Sequence, residues 1–173
     1  MKHYKKNIPD VIVLENKVHK DERGYFYESF VQKEFNEIIG KEVSFVQDNC
    51  ASSRRGVLRG MHYQEEPYAQ GKLISVIQGE IYDVALDIRR GSPSYGQWTS
   101  EYLSNKNKKQ MWIPEGFAHG YLALTENVFI NYKTTNYYSK KHERVITYNN
   151  DDYKINWPDQ VKYIISEKDL IDL

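Results

Sequence analysis

The chain has 173 residues, and its Lys plus Arg and Asp plus Glu are balanced at 24 each. That length suits one domain with a real hydrophobic core, expected over residues 1–173, and the balance gives no field for non-specific nucleic-acid or membrane binding. No apolar run approaches the roughly 20 residues that span a bilayer, Met1–Lys6 leads into no hydrophobic leader, and the single Cys50 excludes an internal disulfide, so the expectation is a soluble protein of a reducing cytoplasm.

Along the chain, Val11–Leu14 and Tyr25–Tyr27 read as strands. Gln32–Ile39 reads as a helix, with Phe35, Ile38 and Ile39 on one face and Gly40 as its stop. Leu73–Ile77 and Ile81–Ile88 flank Gln78-Gly79-Glu80, which has the look of a tight hairpin turn. Arg90–Ser94 is a turn, followed by strands over Trp98–Leu103, Gln110–Ile113, Gly120–Leu124 and Val128–Thr134. The 15 Tyr, 6 Phe and 3 Trp suit strands, packed interfaces and stacking on flat ligands. Many short strands with one helix predict an all-β fold, an antiparallel barrel or double-sheet sandwich. Neither G-x-G-x-x-G nor G-x-x-x-x-G-K-[ST] occurs, so a Rossmann or P-loop reading has no support.

Of the five histidines, His3 and His19 lie in polar surroundings and read as surface residues, whereas His62 and His119 lie in glycine-flanked, strand-like stretches where a backbone can approach a ligand closely. A metal is not expected: His62 is followed by Tyr63 and Gln64 rather than a second histidine, H-E-x-x-H is absent, and one cysteine builds no thiolate site. His62 is better read as a general base, with a pKa that ordinarily lies near about 6.5. A carboxylate to orient it is available in Ser166-Glu167-Lys168-Asp169, without the sequence saying which residue reaches it. Lys72 is a candidate to stabilise an enolate oxygen.

The motifs Asp21–Phe26, Phe45–Asn49, Gly56–Gln64, Gln70–Leu73, Trp112–Gly120, Tyr132–Thr135 and Ser166–Asp169 occur in the same order as in one known family. On these the chain resembles the dTDP-4-dehydrorhamnose 3,5-epimerases, cupin-like double-sheet jelly rolls, from Ile8 to Asp169. The resemblance implies 3,5-epimerisation of a dTDP-linked 4-keto-6-deoxy sugar, with no metal and no organic cofactor. It implies His62 as base, Asp169 as the carboxylate paired with it, Lys72 on the enolate, and Tyr132 as the acid on the opposite ring face. Arg59 matches a phosphate contact and Tyr138 an aromatic that stacks on thymine, while Arg23, Glu28, Gln47, Asn49, His119, Glu143 and Lys168 match other substrate contacts. It further implies a homodimer that exchanges N-terminal strands. Met61 stands where leucine is usual, a tolerable core exchange. Competing readings are a single-site epimerase or one for another nucleotide, a binding-only jelly roll, and a metal-dependent cupin enzyme. Retention of Tyr132 argues against an isomerase that has lost its acid, and none of His62, Lys72 and Asp169 is lost, as a binding-only module would require.

A geometric difficulty remains at one strand. Arg59 and His62 are three residues apart, so on a regular strand they point to opposite faces. Both can serve one pocket if the strand bulges, and Gly60 is the natural place.

Overall fold

A computed structural model describes residues 1–172. Its strands are β1 (Lys2–Lys5), β2 (Ile12–Glu15), β3 (His19–Asp21), β4 (Gly24–Phe26), β5 (Gln47–Ser53), β6 (Leu58–Gln64), β7 (Lys72–Gln78), β8 (Glu80–Asp87), β9 (Trp98–Ser104), β10 (Lys109–Ile113), β11 (Phe117–Ala123), β12 (Val128–Thr134) and β13 (Glu143–Val145). One helix, α1 (Gln32–Ile39), and one 3-10 turn, Glu167–Leu170, complete the regular structure. The strands form a six-stranded sheet in the order β1-β2-β10-β7-β12-β5, a five-stranded sheet in the order β13-β6-β11-β8-β9, and the small β3-β4 ribbon. The two large sheets face each other as a jelly roll.

Period-two alternation sends one side chain of each pair inward and the next outward. On β11, Phe117, Tyr121 and Ala123 join the core between the sheets, with Ile74, Ile81, Met111, Val128 and Ile130. Ala118 and Leu122 point the other way, into a second core with Leu58, Met61 and Val84. That outer core is covered by the segment after β13, through Tyr148, Trp157 and Tyr163. Both faces of β11 are therefore dry, and all seven of its residues are buried.

The six-stranded sheet is covered on its outer face by α1. Phe35 is 2% exposed and packs edge-on to Trp112 at 5.3 Å between ring centroids. Burying such a ring contributes about 2 kcal/mol. Gly40 ends the helix at φ 77°, with its N–H on the Asn36 carbonyl. This is the αL stop read from the sequence.

The hairpin expected around Gly79 does not form. β7 pairs with β10 and β12, whereas β8 pairs with β9 and β11, so the chain crosses between sheets at Gly79. The glycine and its positive φ are real, but they serve a sheet-to-sheet corner. Ile74 and Ile81 meet in the intersheet core from opposite sides, which a hairpin within one sheet would forbid.

The irregularity expected at Gly60 is present. Arg59 is registered with Tyr121 and His62 with His119, so three steps along β6 oppose two along β11. Gly60 has φ 126°, and a Cβ there would lie 2.5 Å from the Gly120 Cα. The Gly60–Met61 peptide is cis. With the extra residue absorbed, Leu58 and Met61 both face the outer core. Arg59 reaches Ser53 on the opposite sheet, and His62 enters the same intersheet space.

Candidate active site

Between the two large sheets lies a cleft lined by Gln47 and Asn49 of β5, His62, Tyr63 and Gln64 of β6, Gln70, Lys72 of β7, Tyr132 of β12, Tyr138, and Glu143 of β13. His62 and Tyr132 enter it from different sheets.

The 3-10 turn brings Asp169 beneath β6. Its Oδ1 lies 2.7 Å from His62 Nε2, and its Oδ2 accepts the Gly60 N–H at 3.4 Å. The C-terminal segment is led there by a parallel bridge between Val57 and Ile164. Asp169 is 3% exposed. Burial alone would raise its carboxyl, but the hydrogen bond and charge of His62, with the Gly60 N–H, hold it below the usual carboxylate range. A carboxylate at this distance orients the His62 ring, and in the tautomer whose Nε2–H donates to Asp169 the other nitrogen, Nδ1, is left free.

Lys72 opens β7 and is 8% exposed. Its Nζ donates to the His62 carbonyl at 3.2 Å. Burial pulls its pKa down from 10.5 to about 8, against the attraction of Asp83 and Glu143, which favours the charge. Burial likewise pushes the Tyr132 phenol up, assisted by Tyr121 and opposed by Arg59. At neutral pH Tyr132 therefore carries its proton, as an acid must before it donates.

His119 faces Asp83, with Nε2 and Oδ1 2.7 Å apart. Both are buried, and burial drives Asp83 up and His119 down, so each shift favours a neutral group. Asp83 Oδ2 is buried without a hydrogen-bond partner. Arg59 is held by Ser53 Oγ at 3.2 Å and the Ser52 carbonyl at 3.1 Å, and Ser53 in turn meets the Tyr121 hydroxyl at 2.9 Å. At the cleft mouth Tyr138 donates to Glu143 Oε2 at 2.9 Å, and Lys168 pairs with the same oxygen at 2.6 Å. Burial works against the Glu143 charge, but Lys168 and Tyr138 outweigh it and lower its pKa.

His62, Lys72, Tyr132, Gln47, Asn49, Tyr138 and Glu143 thus line one cleft, with Asp169 and Lys168 bonded to its members. Arg23 and Glu28 do not line it. Arg23 lies in the exposed β3-β4 ribbon, bonded to Asp21, and Glu28 is exposed beside Asn16 and Val31. The physical reason is that β3 and β4 pair only with each other among the described residues, so nothing in this chain carries them to the cleft. Sequence reading missed Gln64, Gln70 and Asp83. Asp83 had a signal, a lone carboxylate in the apolar run Ile81–Leu86 that alternation turns toward the core.

Among the described residues no group of three or more His, Cys, Asp or Glu side chains is arranged to hold a metal. Nor is any helix long and apolar enough to cross a membrane.

Residues 5–172 match the dTDP-4-dehydrorhamnose 3,5-epimerase family. The chain is 53% identical to the dTDP-4-dehydrorhamnose 3,5-epimerase of Shigella flexneri, over 96% of this chain and 91% of that one. It is 53% identical to the Pseudomonas aeruginosa enzyme of the same name, over 98% and 93%. Its fold superposes with a TM-score of 0.94 on the dTDP-6-deoxy-D-glucose-3,5-epimerase of Legionella pneumophila, solved in complex with dTDP-4-keto-L-rhamnose, at 46% identity over 97% of this chain and 89% of that one.

Proposed function

We infer that this chain, which belongs to the dTDP-4-dehydrorhamnose 3,5-epimerase family, converts dTDP-4-dehydro-6-deoxy-D-glucose to dTDP-4-dehydro-L-rhamnose through the cleft between its sheets. The ketone at carbon 4 acidifies the hydrogens on carbons 3 and 5. His62, held by Asp169, takes each proton through its free nitrogen. The charged Lys72 holds the enolate oxygen in a largely dry site, where such a charge acts more strongly than in water. Tyr132 returns a proton from the other sheet, so the new hydrogen arrives on the ring face opposite His62. The placement of His62 and Tyr132 on opposing sheets across one cleft carries this reading.

Arg59 takes a diphosphate oxygen and Tyr138 stacks on the thymine, with Gln47, Asn49, His119, Glu143 and Lys168 completing the substrate contacts. The working unit is a homodimer in the cytoplasm, in which Arg23, in the turn of the β3-β4 ribbon, and Glu28, just beyond β4, reach the substrate bound by the other subunit. An active monomer at assay concentration would overturn that part.

The test is solvent exchange followed by NMR in heavy water with dTDP-4-keto-6-deoxyglucose. Deuterium should enter at carbons 3 and 5. His62→Ala should abolish both exchanges while still binding dTDP. Exchange by that variant at near wild-type rate would remove His62 as base, and label at one carbon alone would favour a single-site epimerase.

A further inference from the structure

Gln64 lines the cleft two residues beyond His62, yet its side chain is committed elsewhere. It is 6% exposed. Its Nε2 donates to the Tyr68 carbonyl at 2.6 Å and to the Tyr137 carbonyl at 3.1 Å. Its Oε1 accepts the Ser139 N–H at 2.6 Å. One carboxamide orientation alone satisfies all three, because two carbonyls need donors and one N–H needs an acceptor. Both amide hydrogens are used, so Gln64 has no donor left for a substrate.

Two of the three groups it holds, the Tyr137 carbonyl and the Ser139 N–H, lie on either side of Tyr138. Residues 135–142 form a strap that leaves β12 in the six-stranded sheet and enters β13 in the five-stranded sheet, so it bridges the cleft mouth. Backbone bonds tie its two ends, Thr135 N–H to the Gly71 carbonyl and Glu65 N–H to the His142 carbonyl, and no ladder fixes the stretch between them. Side chains supply the missing partners: Gln64 takes the backbone before and after Tyr138, and Gln47 Oε1 accepts the Tyr138 N–H at 3.2 Å. The Tyr138 ring itself is 53% exposed, so packing does little to set its place.

We propose that Gln64 is a positioning residue for the nucleotide end of the substrate, clamping the strap so that Tyr138 is presented ready to stack on the base. This rests on the reading of Tyr138 as the stacking aromatic. Gln64 then governs affinity for the nucleotide and leaves the proton transfers at the far end of the cleft unchanged. A carboxylate could not replace it, lacking the two donors, and an apolar side chain would strand all three backbone groups.

The experiment measures dTDP affinity by calorimetry, and KM and kcat for epimerisation, in the wild type, Gln64→Met, Tyr138→Ala and the double variant. Gln64→Met should raise the dTDP Kd and KM about tenfold, with kcat within about twofold, as expected for loss of a few neutral hydrogen bonds. Added to Tyr138→Ala, it should cost little more, because the two act through one contact. Additive losses would overturn the proposal and leave the Tyr138 assignment standing. A fall in kcat at unchanged KM would also overturn it, placing Gln64 with His62 instead. If Tyr138→Ala alone leaves the dTDP Kd unchanged, the stacking assignment fails and this proposal with it. Ser139→Pro removes one of the clamped donors from the strap, and with it the Ser139 hydroxyl's bond to His142, while leaving Gln64 itself in place. It should show the same split between KM and kcat, and a wild-type dTDP Kd there would count against the clamp even if Gln64→Met did not fold.

Discussion

Replacing Lys72 with methionine should make the protein more stable and nearly inactive. Lys72 is 8% exposed, and burial moves its pKa from 10.5 to about 8. At about 1.4 kcal/mol for each tenfold change in proton affinity, holding that charge in the fold costs on the order of 3 kcal/mol at pH 7. Methionine fills a similar volume without the charge. It strands the His62 carbonyl, which Lys72 now serves, at a cost of about 1 kcal/mol. The net gain at pH 7 is then about 2 kcal/mol. The pH dependence follows from the same displacement. Between about 8 and 10.5 the unfolded chain holds the proton and the folded chain releases it. Wild-type stability from this residue is therefore fullest above 10.5 and falls as pH drops through about 8. Urea unfolding at pH 7 and pH 10, at fixed protein concentration, should give a variant that is clearly more stable at the lower pH and loses most of that advantage at the higher. Activity should fall by about 100-fold or more, the usual loss for an oxyanion-stabilising group. A variant less stable than wild type at pH 7, or a gap that ignores pH, would refute the reasoning.

In the wild type, kcat/KM should decline as pH rises through about 8, because the proposed enolate stabilisation needs the charged form of Lys72. Tyr132→Phe should remove the opposite-face acid, so carbon-bound protons still wash out into heavy water while net inversion slows by about 100-fold, read by NMR of the product. Asp87 is buried and ion-paired with Arg89; burial opposes its charge, yet Arg89, Ser92 and Ser94 hold its pKa well below the ordinary aspartate range. Asp87→Asn should cost on the order of 3 kcal/mol at pH 7, and the difference should close as pH falls below the ordinary value, since a lowered carboxyl loses its stabilising effect on protonation. Gly60→Ala should destabilise by at least about 3 kcal/mol in denaturant titration, because φ 126° disfavours a side chain and its Cβ would meet Gly120.

The sequence made α1 and β12 legible because both carry a clean periodicity and a clear stop, and their bounds agree with those expected. The bulge at Gly60 was legible for a different reason: two residues needed by one site stood three apart, and a glycine lay between them. β1 and β5 were not seen. Both are edge strands of the six-stranded sheet, and Lys2–Lys5 is exposed throughout, so no apolar alternation marks them. The Gly79 corner was misread because a turn glycine looks the same whether the next strand returns beside its neighbour or crosses to the other sheet. In the site, His62 and Lys72 stood out by residue type, whereas the choice of Asp169 over Glu167 depends on how a remote 3-10 turn docks under β6. Gln64 carried no signal, since its work is done with backbone groups that any sequence would offer.

On the proposed roles of His62 and Tyr132, their placement on different sheets makes stereochemistry a property of the architecture. Side chains within each sheet can drift, lengthen or retreat as the core is repacked, and each will still address its own face of a ring lying in the gap. Such drift can silence one of the two carbons by moving the sugar along the cleft. It cannot turn inversion into retention without carrying a proton donor across the sandwich. A redesign for single-site products should therefore shift where the sugar rests and leave the two walls alone.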